Sequence, residues 1–234
     1  MHNKIDVVIM AGGKGERLMP LTKNTPKPLL KIGDKPIIEY STDRLASYGI
    51  KHINISTNYL SQQIVSYFKE HNEHHIDFNY IKESKSLGTI GALKLIENFK
   101  NEYILVMNAD LLTNVNFEAL FNDFLSKGGD ALIATIPYKV DIPHGVVETK
   151  AGFVTDLKEK PSYTYYSNAG IYIFKKECFE FIPESTFFDA TDLIEVLLAK
   201  HKKIVNYPIL DYWLDIGKPE DFEKAQADIK HLKF

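Results

Sequence analysis

The chain has 234 residues, 44% of them apolar, which is enough for one sizeable α/β domain with its own core. A formal charge of −3 gives no general attraction to nucleic acid or to an anionic membrane, so any phosphate binding falls to local basic residues. The single cysteine, Cys178, excludes an intrachain disulfide and reads as a buried small apolar residue of a cytoplasmic protein, and no run approaches the roughly 18 apolar residues that cross a bilayer.

Ile5 to Met10 is rich in β-branched residues and reads as a strand buried in a parallel sheet. A glycine-rich loop follows, at the sheet edge where ligands of open α/β folds bind. Neither common nucleotide motif fits. The third glycine of G-x-G-x-x-G is missing after Gly13 and Gly15, and no Walker sequence occurs. Pro20, Pro26 and Pro28 restrict the loop and predict a stiff, extended segment that holds Arg17 and Lys27 over one anionic ligand.

Helices at Ile37 to Tyr48, Ser61 to Phe68 and Thr89 to Phe99 alternate with strands at His52 to Thr57, Ile76 to Lys82 and Tyr103 to Met107. This alternation predicts a Rossmann-like, doubly wound α/β sheet, mixed but mostly parallel. A helix at Phe117 to Ser126 then leads into short strands at Ala131 to Val140, Gly145 to Thr149, Val154 to Lys158 and Ser167 to Phe174. They form a β-rich half that pairs into the sheet or packs beside it. A helix at Thr191 to Lys200, a strand at Ile204 to Pro208 and a helix at Glu220 to His231 end the chain. The expected organisation is one domain, with residues 1–110 binding nucleotide and 111–234 binding sugar phosphate.

GGKGERLMPLTKNTPKPLLKIGDKPIIE resembles the signature GGxGxRLxPLTxxxPKP of the sugar-1-phosphate nucleotidyltransferases, also called nucleoside-diphosphate-sugar pyrophosphorylases. LGTIGAL, Asp110 after an apolar strand, EKP, NAG and WLDIG follow in that family's order, so the resemblance covers nearly the whole chain. NADLLTN and YYSNAGIY are most similar to a guanylyltransferase-like branch, in which regulatory CBS modules accompany the transferase domain. The chain is read accordingly as a stand-alone enzyme or an excised domain.

The resemblance implies transfer of a nucleotidyl group from a nucleoside triphosphate to a sugar-1-phosphate, with release of pyrophosphate. Bringing two anions together makes positioning and charge stabilisation the main catalytic work. Arg17 is expected to hold the departing phosphates and Lys27 to bridge the α-phosphate and the attacking sugar phosphate. Lys14 is the weaker candidate of the loop. Mg²⁺ is the expected cofactor, held by Asp110 and Asp215, since that ion takes one or two carboxylates and completes its shell with phosphate and water. The family pattern has glycine where this chain has Ala109, a change that matters only if φ there is positive.

Ala11, Gly12, Gly13, Gly15, Glu83, Leu87 and Gly88 are the implied nucleotide-binding positions. Gly145, Glu159, Lys160 and Asn168 are the implied sugar-phosphate contacts. An ionised carboxylate only accepts hydrogen bonds, and guanine presents two adjacent donors, so Glu83 favours GTP over UTP or dTTP. A non-catalytic nucleotide-sugar sensor has no need of Arg17, Lys27, Asp110 and Asp215 together. A glycosyltransferase is expected to carry D-x-D, of which Asn108-Ala109-Asp110 supplies one carboxylate. The partners expected are small molecules and neither nucleic acid nor membrane, with a homo-oligomer compatible. His71, His74 and His75 read as a solvated turn, and Tyr163, Tyr165 and Tyr166 as strand aromatics packing on the sheet.

Overall fold

A computed structural model describes residue 1 and residues 3–232. β1 (Ile5–Ala11) leads through 3₁₀ turns at Glu16–Leu18 and Lys27–Leu29 to a small ribbon of β2 (Lys31–Ile32) and β3 (Lys35–Pro36). Next come α1 (Ile37–Ser47), β4 (His52–Thr57), α2 (Ser61–Glu70), β5 (Asp77–Lys82) and a 3₁₀ segment at Gly91–Leu95. β6 (Tyr103–Asn108), β7 (Leu111–Thr113), α3 (Phe117–Lys127), β8 (Ala131–Asp141), β9 (Val146–Lys150), β10 (Phe153–Lys158) and β11 (Ser162–Lys175) follow. A 3₁₀ segment at Lys176–Phe181, α4 (Ala190–Ala199), β12 (Ile204–Pro208), β13 (Trp213–Asp215) and α5 (Pro219–Asp228) complete it.

Seven strands form one sheet in the order β12-β8-β11-β6-β1-β4-β5. β1 pairs in parallel with β4 and β6, β4 with β5, and β8 with β12; β11 alone runs against its neighbours. The sheet is mixed and mostly parallel, as its continuous apolar runs require, because both faces are covered. Along β1 the period-2 alternation sends Val7 and Ile9 into the core beneath α1, α2 and α3, and Val8 into the core beneath α4. The β-rich stretch does both things expected of it: β8, β11 and β12 extend the sheet, while β9 and β10 form a separate exposed hairpin.

Cys178 is fully buried, and burial pushes its thiol up to about 11, which leaves it uncharged near neutrality. Tyr165 and Tyr166 do not pack on the sheet; they lie in the projecting part of β11 and are 60% and 53% exposed.

The helix expected over Thr89 to Phe99 is not formed. Its first turn is captured by a neighbouring segment instead: Ile90 N–H and Gly91 N–H both donate to Phe188 O at 3.1 Å, and Phe188 N–H donates to Leu87 O at 2.9 Å. Gly88 sits at φ +76°, and a Cβ there would lie 2.6 Å from Phe188 O. An L-residue in that conformation costs roughly 1–2 kcal/mol before the clash is counted. Gly88→Ala is therefore expected to lower unfolding free energy by at least about 1–2 kcal/mol, read from the midpoint of urea denaturation at unchanged slope.

Candidate active site

The site begins where β1 ends. A Cβ on Gly12 would lie 2.6 Å from Glu83 Oε1, so the loop passes a buried carboxylate at a distance only glycine allows. Gly15 has φ +65° and precedes the turn Glu16–Leu18. Thr22 Oγ1–H donates to its carbonyl at 2.9 Å, closing the loop on itself. Within that turn Leu18 is fully buried while Arg17 is exposed, so the apolar anchor fixes the guanidinium at the mouth of an open cleft of about 780 Å³. Lys14 lines the same cleft. The loop is not extended, because it is built on the two short 3₁₀ turns, with Pro26 at the N-cap of the second. Pro28 occupies the second position of Lys27–Leu29, where a backbone N–H has no helical acceptor.

That turn buries Lys27, which is 8% exposed. Its ammonium donates to Asp110 Oδ2 and lies 4.0 Å from Asp215 Oδ1. Asp110 and Asp215 are 105 positions apart, and β7 and β13 bring them together. This antiparallel ribbon, too short to show a period in sequence, pairs Leu111 with Asp215, and Ile216 N–H donates to Asp110 O at 3.1 Å. Two supports hold it. Arg44 of α1 donates to Asn114 O and Val115 O at 2.5 and 2.8 Å, and Leu112, Leu214 and Ile216 pack with Leu18, Ile37 and Ala225 in a satellite core. Ala109 N–H donates to Met10 O at 3.1 Å, continuing the sheet bonding past β6. Its φ is not positive, so alanine in place of glycine costs no strain.

Burial raises the Asp215 carboxyl above the usual carboxylate range, the charge of Asp110 adds to this, and Lys27 and Arg17 oppose it. Among the described residues, Asp110 Oδ1 and Asp215 Oδ1 are buried acceptors without a hydrogen-bond partner. Two carboxylates against one buried ammonium leave a local excess of negative charge and two vacant lone-pair sets. A hard divalent cation fits this donor set.

Beside these groups lies a cleft of about 290 Å³, lined by Ala11, Gly12, Gly13, Glu83, Ser86, Gly88, Thr89 and Phe187 and reaching Lys27 and Asp110. Leu87 is buried just beneath it and contributes backbone: its N–H donates to Glu83 Oε2 at 3.0 Å. Glu83 is 5% exposed and also accepts from Ser56 Oγ through Oε1. Each oxygen thus uses one of its two lone-pair directions internally.

A second cavity, about 150 Å³, shares Asn108 with this cleft and is lined also by Asp215. Between Asn168 and Tyr172, β11 advances four residues while β8 advances two, so Asn168-Ala169-Gly170 forms a bulge. Such bulges re-aim side chains next to sites. Asn168 holds it, accepting from Gly170 N–H at 2.9 Å and donating to Tyr172 Oη at 2.7 Å. Trp213 Nε1–H donates to Ala169 O at 2.9 Å. Asn168 thus reaches the site, and Asn108, Tyr172 and Trp213 join it; the motifs NADLLTN, YYSNAGIY and WLDIG contain them without assigning them a role. Gly145, Glu159 and Lys160 line neither cavity. All three are exposed on the β9–β10 hairpin and its flanks, with Glu159 Oε2 3.0 Å from where a Cβ on Gly145 would be. The histidines diverge: His71 stacks on Tyr67 at 4.4 Å, and His74 Nε2 lies 3.2 Å from Asp43.

A glycine loop at the carboxyl end of a parallel strand, backed by a buried lysine and two converging carboxylates, is a site for transferring a charged phosphorus group between anions. The comparisons narrow that class. The chain belongs to the nucleotidyl transferase family, whose model matches residues 6–231, and it is a sugar-1-phosphate nucleotidyltransferase. It is 32% identical over 231 residues to the D-glycero-alpha-D-manno-heptose 1-phosphate guanylyltransferase of Aneurinibacillus thermoaerophilus, covering 97% of this chain and 99% of that one. It is 28% identical to the mannose-1-phosphate guanylyltransferase of Mycobacterium tuberculosis, over 97% of this chain and 65% of the relative. The crystal structure of HddC from Yersinia pseudotuberculosis superposes with TM-score 0.76 at 27% identity, over 96% of this chain and 99% of that one; its complex with GMP-PN gives 0.73.

Proposed function

We propose that the chain transfers a guanylyl group from GTP to a sugar-1-phosphate of the mannose or heptose type, with Mg²⁺ bound by Asp110 and Asp215. The observation that carries the chemistry is the cluster of the buried Lys27 with Asp110 and Asp215 and its two partnerless carboxylate oxygens. The names of the guanylyltransferase relatives and the position of Glu83 support the choice of base.

In this reading a sugar-phosphate oxygen attacks the α-phosphorus. A new P–O bond forms as the bond to the bridging oxygen breaks, and pyrophosphate leaves with that electron pair. Bound Mg²⁺ supplies Lewis-acid charge neutralisation at the phosphate oxygens. The rest is the work of the chain. Arg17 holds the leaving phosphates at the cleft mouth, where its planar fork suits a phosphate bidentately. Lys27 stabilises charge growing on the transferred group. Asn168, Tyr172 and Trp213 shape the cavity that receives the sugar.

Glu83 retains one lone-pair direction on each oxygen for guanine N1–H and N2–H. Glu83→Gln can keep both internal bonds, its carbonyl accepting from Leu87 N–H and its amide donating to Ser56 Oγ, so the fold survives. We expect kcat/KM for GTP to fall at least about tenfold while UTP is little changed, since one donor would then face another; an unaltered nucleotide ranking removes Glu83 from base reading. The whole reading is tested by pyrophosphate release in Mg²⁺ from a grid of four nucleoside triphosphates against hexose-, hexosamine- and heptose-1-phosphates. GTP with one mannose- or heptose-type phosphate is the expected pair. A strong pair with UTP or dTTP overturns the base, and activity with a glucose- or hexosamine-1-phosphate overturns the sugar.

A further inference from the structure

Among the residues lining the nucleotide cleft, Phe187 is the only aromatic one, and it is 57% exposed. Exposing a phenyl ring forgoes the free energy of burying it. Its neighbour Phe188 turns the other way and packs against the core beneath α4. Phe187 is not on a loose loop. Phe188 N–H and O bond to Leu87, Ile90 and Gly91, and Asp189 Oδ1 accepts from Thr89 N–H at 2.8 Å. The backbone carrying the ring is therefore fixed to the backbone of the glycine segment. In the same cleft Gly12 and Gly13 present bare backbone, and nothing stands within 4 Å of a Cβ built on Gly13. An aromatic ring and a glycine wall lining one cleft accept a flat group. Phe187 lines only this cleft and not the cavity formed by Asn168 and Trp213, which separates it from the sugar side.

We infer that Phe187 is a stacking platform for the nucleobase, holding its face while polar groups read its edge. This rests on the nucleotidyl-transfer reading and adds a contact that tolerates any base, because every base has a π-face. The test uses the full chain and direct binding, with GTP and inorganic pyrophosphate as probes. Phe187→Ala is expected to weaken GTP binding about tenfold, the loss typical of removing one base–aromatic stack, and to leave pyrophosphate binding within about twofold of wild type. Phe187→Leu falls between, since it restores apolar cover without a π-face. In Phe187→Trp the added indole fluorescence is quenched by GTP and not by pyrophosphate.

Unchanged GTP binding by Phe187→Ala overturns the inference alone, as does an equal loss of GTP and pyrophosphate, which would mark a structural effect on the loop. A wild-type chain that binds no nucleoside triphosphate overturns the transfer reading and this inference together.

Discussion

Lys27→Met lowers turnover by about 10²–10³-fold, equivalent to about 2.7–4 kcal/mol of transition-state stabilisation. KM for the triphosphate rises much less. The asymmetry follows from where Lys27 sits. Without substrate its ammonium is already compensated by Asp110 and lies 4.0 Å from Asp215, so it contributes little to holding a ground-state phosphate. Its value grows as charge develops on the transferred group, and only differential binding of that kind raises kcat. Methionine preserves length and apolar contacts in a slot that is 8% exposed, so the protein folds in Mg²⁺, as circular dichroism would verify. Lys27→Arg recovers little, because a wider planar guanidinium would have to replace a compact ammonium held directly against Asp110 at a buried position. Near-normal pyrophosphate release by Lys27→Met would refute the role.

What was legible in the sequence divides by length scale. β1 and β6 are apolar runs long enough to be buried on both faces, and α1 places Ile37, Ile38, Ser41, Thr42 and Leu45 on one side, so local pattern and tertiary environment agree. Thr89 to Phe99 also has helix-like apolar spacing. There the outcome was decided by a segment almost 100 positions away, whose Phe188 carbonyl takes the first N–H groups and whose backbone leaves no room for a side chain at Gly88. Asp110 and Asp215 were identified by the motifs around them, but their meeting depends on a three-residue ribbon with no period to detect. Phe187 belongs to no motif. Only the fold shows that it turns outward while Phe188 turns in.

Asp110→Asn separates the metal role of that carboxylate from its structural role. The expected result is a fall in turnover of at least about 10²-fold, since a lost metal ligand removes several kcal/mol of charge stabilisation, with a smaller loss of stability in EDTA than a buried ion pair broken outright would give. The second half follows from the charge count. Asparagine removes the direct ion pair with Lys27, and it also removes the negative charge that pushes Asp215 upward. Lys27 is then left with Asp215 at 4.0 Å as its remaining partner, an ion pair that needs only a small movement to tighten. The gain offsets part of the loss, which without it is about 3–5 kcal/mol for a buried pair deprived of one partner. The ligand set does not recover in this way. A neutral amide oxygen replaces an anionic one whose Oδ1 has no protein donor to begin with. Wild type should gain about 2.7 kcal/mol of stability when Mg²⁺ is present at 100 times its dissociation constant. In Asp110→Asn this metal-dependent rise in melting temperature should vanish at the same concentration. Asp215→Asn gives a weaker version of both effects, because that side chain is 42% exposed against 21% for Asp110 and can be replaced in part by water. If Asp110→Asn still melts higher with Mg²⁺ and still turns over, the pair of carboxylates is a structural counter-charge for Lys27 and the cation is held elsewhere.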